Sequence, residues 1–399
     1  MKPQKYYLRF FQFLILSLFV ISCSDNDDSI PTPEQQYLVS AEKITDVSLA
    51  EIRERAGLLG GLAKNEVSAY KLTYNTVNLD QSPIVASGLV LLPNNLDSLS
   101  LLAFQHGTIL TQEEAPSSYK AAGNMEAYLA GTLGASLEKG YMVVMADYLG
   151  FGETKNMLHP YQHRASLASV NLDMLRAAKE FSATLDQPLR KGVILAGYSE
   201  GGYASMALHQ AIEETASSEF TVASTLAGAG AYDMVSTAKW IVSQDRNLPD
   251  KASTFYTWVL LTFNEMYGIN MPLADMLTPA NAQKVGQALA AGNPLTAELS
   301  DNPSELFTLQ FIQGIATETN AHFIQALSDN NVYDWTPKAP VMLFHAPGDD
   351  IVPALNSVIA EQAIKARGGS ATLIPLGTEN ASHREGIQLY LAYVLNALQ

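Results

Sequence analysis

The sequence predicts an α/β fold, a mostly parallel sheet with helices on both faces. Two observations carry that prediction. From about residue 101 onward, short apolar runs alternate with amphipathic helical stretches, the pattern of strands buried between crossover helices. The composition supplies the means: 47% of the 399 residues are hydrophobic and only 16% are charged, enough to bury a large core. A chain of this length makes two domains, or one large α/β domain carrying an insertion.

The elements follow in order. Residues 1–22 open with Lys2, Lys5 and Arg9 and continue as an apolar run to Ile21. These are the charged and hydrophobic regions of a secretory signal, too short for a comfortable membrane span. Val20-Ile21-Ser22-Cys23 resembles a bacterial lipobox with Val where Leu is commoner, which implies cleavage before Cys23 and lipid attachment to it. Cys23 is the one cysteine, so an exported mature chain keeps no free thiol and no disulfide. Residues 23–40 begin acidic and proline-bearing and read as a solvated tether, with the folded domain expected over 41–399.

Residues 67–78 and 85–93 are β-rich around Pro83, a predicted hairpin. A strand at 101–104 ends at His106-Gly107. Helical pattern over 126–139 stops at Gly140, before a strand at 141–146. A helix over 167–185 leads to a strand at 193–196, and a helix after Ser199 leads to a sixth strand at 221–227. A long helical stretch then interrupts the alternation at about 232–338, an expected cap insertion holding Trp240, Trp258 and Trp335. Strand 341–345, helix 354–367, strand 371–375 and helix 385–396 complete the chain.

Three strand ends carry chemistry. Gly197-Tyr198-Ser199-Glu200-Gly201 lies between a strand and a helix, the context in which a sharp turn lifts the serine hydroxyl above the sheet edge. Small flanks are needed there, because larger side chains would collide with the neighbouring strand and helix. A serine nucleophile needs a base, and the base needs an orienting acid. Asp349 follows the strand at 341–345, and His383 follows the last strand. The order Ser199, Asp349, His383 is that of nucleophile, acid and base in one class of serine hydrolases. Asp350 and, more weakly, Glu379 are alternative acids. An oxyanion hole is expected from Glu200 N–H and from the loop at 104–108, where either Gly107 or Thr108 is the donor.

Across residues 67–399 the chain resembles an α/β-hydrolase-fold serine esterase. Phe104-Gln105-His106-Gly107-Thr108, Asp147-Tyr148-Leu149-Gly150-Phe151-Gly152, His159-Pro160-Tyr161, Asp173-Met174-Leu175-Arg176 and residues 197–202 are similar to the secretory lipase family and its bacterial relatives. The resemblance implies carboxylic-ester hydrolysis by a Ser/Asp/His triad, beneath a helical cap inserted after the sixth strand. It implies no metal and no organic cofactor. Glu200 departs from the family, where many relatives carry a small or neutral residue. A carboxylate beside the oxyanion hole opposes developing negative charge unless it points away.

Other features weigh less. His159 and His163 have metal-ligand spacing, but Pro160 lies between them, which makes them structural or rim residues. Gly228-Ala229-Gly230 lacks the third glycine of a dinucleotide site. Trp258, Leu260, Leu261, Phe263 and Met266 are spaced for one helix to roof an acyl pocket, or to form the core of the cap. With 24 Lys+Arg against 40 Asp+Glu, nucleic-acid binding is excluded as a partner class.

The resulting expectation is an exported bacterial lipoprotein, periplasmic or at the cell surface, whose only membrane contact is its N-terminal lipid. Its expected partner is a small ester or lipid substrate. A carbohydrate esterase or peptidase is possible on the same fold, and a non-catalytic polysaccharide-binding lipoprotein is the reading from another class.

Overall fold

The computed structural model describes residues 36–94, 96, 98–120, 126–249 and 251–399. The expected signal, Cys23 and most of the tether lie outside the described residues. The strands are β1 Leu38–Val47, β2 Val67–Val77, β3 Pro83–Pro93, β4 Leu99–Gln105, β5 Tyr141–Ala146, β6 Leu189–Tyr198, β7 Val222–Gly228, β8 Val341–His345 and β9 Ala371–Pro375. Among the described residues they form one sheet in the order β1-β2-β3-β5-β4-β6-β7-β8-β9. Pairings from β1 to β3, and of β3 with β5, are antiparallel; every pairing from β5–β4 through β8–β9 is parallel.

The expected hairpin is β2–β3, in continuous register from Val67 opposite Pro93 to Val77 opposite Pro83. β1 is a correction. Leu38, Val39 and Ser40, expected at the end of the tether, belong to this edge strand, which runs antiparallel to β2. Most of its residues are exposed, so it is held largely by backbone pairing and carries no period-two apolar alternation for a sequence reading to find. With β1 counted, the long helical insertion follows the seventh strand.

Period-two alternation distributes the core. Leu101 and Ala103 of β4, with Met142 and Val144 of β5, join one buried cluster; Leu102, Phe104, Val143 and Met145 join the other. Helices Arg164–Thr184 and Glu200–Thr215 cover the first face. The last helix, His383–Ala397, covers the second with Tyr390, Leu391 and Val394. Between β7 and β8 the chain passes through helices including Met234–Val242, Ala252–Met266, Pro279–Ala290, Leu309–Ala316 and Ala321–Asp329. Their buried residues, Trp258, Phe263 and Phe323 among them, extend the first cluster. No helix among the described residues is long and apolar enough to cross a membrane.

The chain runs outward from β4 to β5 and then returns past β4 to β6. Ligands of open α/β sheets bind at the carboxyl ends of strands at such a reversal. The loop after β4 and the turn after β6 flank it.

Candidate active site

Ser199 sits between β6 and the helix Glu200–Thr215 with φ 58° and ψ −121°, a conformation that costs energy for a residue with a side chain. The surroundings hold it there. Ser199 N–H donates to Gly228 O (2.8 Å), and Gly197 N–H donates to the Tyr390 hydroxyl (2.6 Å), which donates to Leu226 O (2.6 Å). A Cβ on Gly197 would strike the Gly201 backbone, and one on Gly201 would strike Gln105 O. The glycines of the motif are therefore close-approach positions. Gly228, from the lone GxG, approaches the backbone at Gly202 and serves the same turn.

His383 is the first residue of the last helix, two positions earlier than the sequence pattern suggested. The Ser382–Glu385 capping box sets this start: the serine side chain accepts Glu385 N–H, and the glutamate side chain accepts Ser382 N–H. From there His383 Nε2 lies 3.0 Å from Ser199 Oγ, and Nδ1 lies 2.6 Å from Asp349 Oδ2. Between the adjacent acids the geometry is unambiguous. Asp350 accepts the His383 backbone N–H (3.3 Å), whereas Asp349 meets the imidazole.

Asp349 is itself fixed, with Oδ1 accepting N–H groups from Ile351 (3.0 Å) and Val352 (2.8 Å). Its other oxygen also faces His345 Nε2 (3.2 Å), a second imidazole that sequence reasoning missed. Burial works to raise the Asp349 pKa, but the charge and hydrogen bonds of His383 and His345 outweigh it. The carboxyl is held well below the usual carboxylate range.

The loop after β4 meets another unforeseen residue. Gly107 N–H donates to Glu126 Oε2 (2.9 Å), so this expected donor already serves a buried carboxyl group. Burial, opposed by that hydrogen bond, pushes Glu126 up to about 7. Thr108 Oγ1 lies 2.7 Å from the Tyr161 hydroxyl. As the first residue of its helix, Glu200 has a backbone N–H outside the intrahelical ladder.

The Glu200 side chain is buried against His159, with Oε1 2.7 Å from Nε2. His163 does not join them: its Nδ1 accepts Ser166 N–H (3.2 Å) and caps the helix Arg164–Thr184. Burial and the Arg164 charge lower its pKa to about 4. Asp147 is a packing device, accepting Ser117 N–H (2.7 Å) and the Ser87 hydroxyl (2.5 Å). Among the described residues no cluster of His, Cys, Asp or Glu could hold a metal ion.

A cavity of about 280 Å³ opens over Ser199 and His383. Its walls are apolar: Met234 and Ile241, Phe255 with Val259 and Leu260, and Phe307, Phe311 and Ile315 from the insertion. Of the five residues expected to roof it, Leu260 is among these lining residues, but Trp258 is fully buried elsewhere. Its indole N–H donates to His159 O (3.0 Å), and its ring stacks on Tyr161 at 4.6 Å.

The comparisons agree with this architecture. The rice cell wall degrading esterase LipA from Xanthomonas oryzae superposes with a TM-score of 0.77 at 25% identity, over 90% of this chain and 96% of that one. A Legionella pneumophila protein shares the fold with a TM-score of 0.80 at 24% identity, over 91% of this chain and 97% of that one. Lipase A from Candida antarctica shares it more distantly, with a TM-score of 0.60 at 16% identity over 87% and 77%. No curated protein sequence matches the chain. A family profile described as Secretory lipase matches residues 124–380, well over half the chain and a span that includes Ser199 and Asp349. On that match the chain belongs to the secretory lipase family.

Proposed function

We propose that this protein is an exported serine esterase that hydrolyses carboxylic esters with an apolar acyl group. The observation that carries the reading is the continuous contact from Ser199 Oγ through His383 to Asp349, at 3.0 and 2.6 Å, at the floor of an apolar cavity. Membership of a family of lipases supports ester hydrolysis, and the intact constellation argues against a non-catalytic binding module.

Ser199 Oγ attacks the ester carbonyl while His383 Nε2 takes its proton, then returns it to the leaving alcohol. Asp349 holds the Nδ1–H tautomer and stabilises the imidazolium. Glu200 N–H and Thr108 N–H receive the oxyanion, since Gly107 N–H is engaged by Glu126. Water releases the acyl group by the same route. The insertion between β7 and β8 acts as the cap, and Cys23 carries the lipid that tethers the enzyme to a membrane.

The test is labelling with a fluorophosphonate, alongside turnover of a panel of p-nitrophenyl esters. Wild type should label and turn over, and Ser199→Ala should do neither while unfolding at an unchanged temperature. Turnover surviving in that variant would move the nucleophile elsewhere.

A further inference from the structure

Glu200 presents a problem that the reaction itself does not solve. It follows the nucleophile directly, and an uncompensated carboxylate in a water-poor site would oppose the negative charge that forms on the substrate oxygen. We propose that His159 and Glu200 share one proton, so that the pair adds no net charge beside the oxyanion site, and that His159 is a positioning residue acting through Glu200. The proposal rests on Ser199 being the nucleophile.

The argument is one of donors and acceptors. His159 Nδ1 lies 2.6 Å from Leu149 O, and a carbonyl only accepts, so Nδ1 bears hydrogen. On the opposite side, Nε2 lies 2.7 Å from Glu200 Oε1. A singly protonated ring would turn a lone pair towards a carboxylate oxygen at that distance. A second proton therefore lies between Nε2 and Oε1. Whether it is assigned to the ring or to the carboxyl group, the pair sums to zero charge.

Both side chains are about 2% exposed, so water does not screen them. The other faces of the imidazole meet aromatic rings: Tyr148 at 5.8 Å, Phe151 at 5.4 Å and Trp258 edge-on at 5.5 Å. The Trp258 indole also holds the His159 carbonyl. Glu200 is thus the polar partner of Nε2, and the pair is built to stay together.

The experiment compares His159→Gln with the double variant His159→Gln/Glu200→Gln. In the single variant the buried carboxylate loses its proton partner. There kcat should fall on the order of a hundredfold, the scale of losing an oxyanion donor, with KM changed less than about threefold. A trifluoromethyl ketone, which captures the serine as an anionic hemiketal, should lose affinity by a similar factor. Adding Glu200→Gln removes the stranded charge and should bring kcat and ketone affinity back to within about tenfold of wild type.

If the single variant does not fold, the double variant decides alone, because it is neutral and should retain both quantities at that level. A single variant with unimpaired kcat and ketone affinity overturns the proposal, as does a double variant with both still depressed a hundredfold. Turnover surviving in Ser199→Ala overturns the underlying reading and the proposal with it. Loss of turnover there, with an unimpaired His159→Gln, overturns the proposal alone.

Discussion

Replacing Glu126 by Gln is expected to remove a pH-dependent cost from this protein's stability. The carboxyl group is buried beside Gly107, and burial, partly offset by the Gly107 hydrogen bond, moves it from 4.5 to about 7. Below about pH 4.5 it is protonated in both folded and unfolded chains and costs nothing. Between 4.5 and 7 the unfolded chain ionises while the folded one keeps its proton, so stability falls as pH rises. Above 7 the loss levels off, at about 3 kcal/mol for a shift of this size. Gln is neutral throughout and still offers an amide oxygen to Gly107 N–H. Urea unfolding of both proteins from pH 4.5 to 8 measures the effect, because the other titrating groups largely cancel in the difference. The variant should gain about 3 kcal/mol relative to wild type across that range. A difference that stays flat with pH would refute the reasoning.

The remaining expectations concern the reaction and the insertion. Asp349→Asn should lower kcat by about 10³- to 10⁴-fold and Asp350→Asn by less than about tenfold, because only Asp349 meets the imidazole. The reverse ranking would reassign the acid. In a series of p-nitrophenyl esters, kcat/KM should rise by up to about fourfold per methylene, about 0.8 kcal/mol each, until the cavity is full. Leu260→Ala should flatten the upper part of that rise, and acetate as the fastest substrate would point to a carbohydrate-type ester instead. Trp258→Ala should cost about 3–5 kcal/mol of stability, seen as a lower unfolding temperature. An unchanged unfolding temperature would contradict the burial of its indole.

Much of this protein was determined by its sequence alone, and the reasons are local. Apolar runs in alternation with helical stretches are enough to imply a parallel sheet between helices, because each strand must bury both faces. The elbow was legible because its glycines sit where backbone meets backbone at Gly201 and Gln105, a steric demand that any sequence with this turn must meet. The chain order of Ser199, Asp349 and His383 follows from which strand ends carry them. The capping box that starts the last helix at His383 was also present in the sequence, as Ser382 and Glu385, though the apolar periodicity alone placed the start two residues late.

Tertiary structure decided the rest. β1 was invisible because an exposed edge strand is specified by backbone pairing with β2, not by apolar pattern. Asp349 and Asp350 are neighbours of one residue type, and only the approach of His383, 34 positions away, separates them. The engagement of Gly107 by Glu126 and the pairing of Glu200 with His159 span 19 and 41 positions. Helical spacing put Trp258 and Leu260 in one apolar segment, but packing sent the first towards Tyr161 and His159 and the second to the cavity. Local sequence sets which backbone conformations and faces are available. The partner of a buried polar group is chosen by whichever distant segment the fold brings within hydrogen-bond reach, and no local pattern encodes that distance.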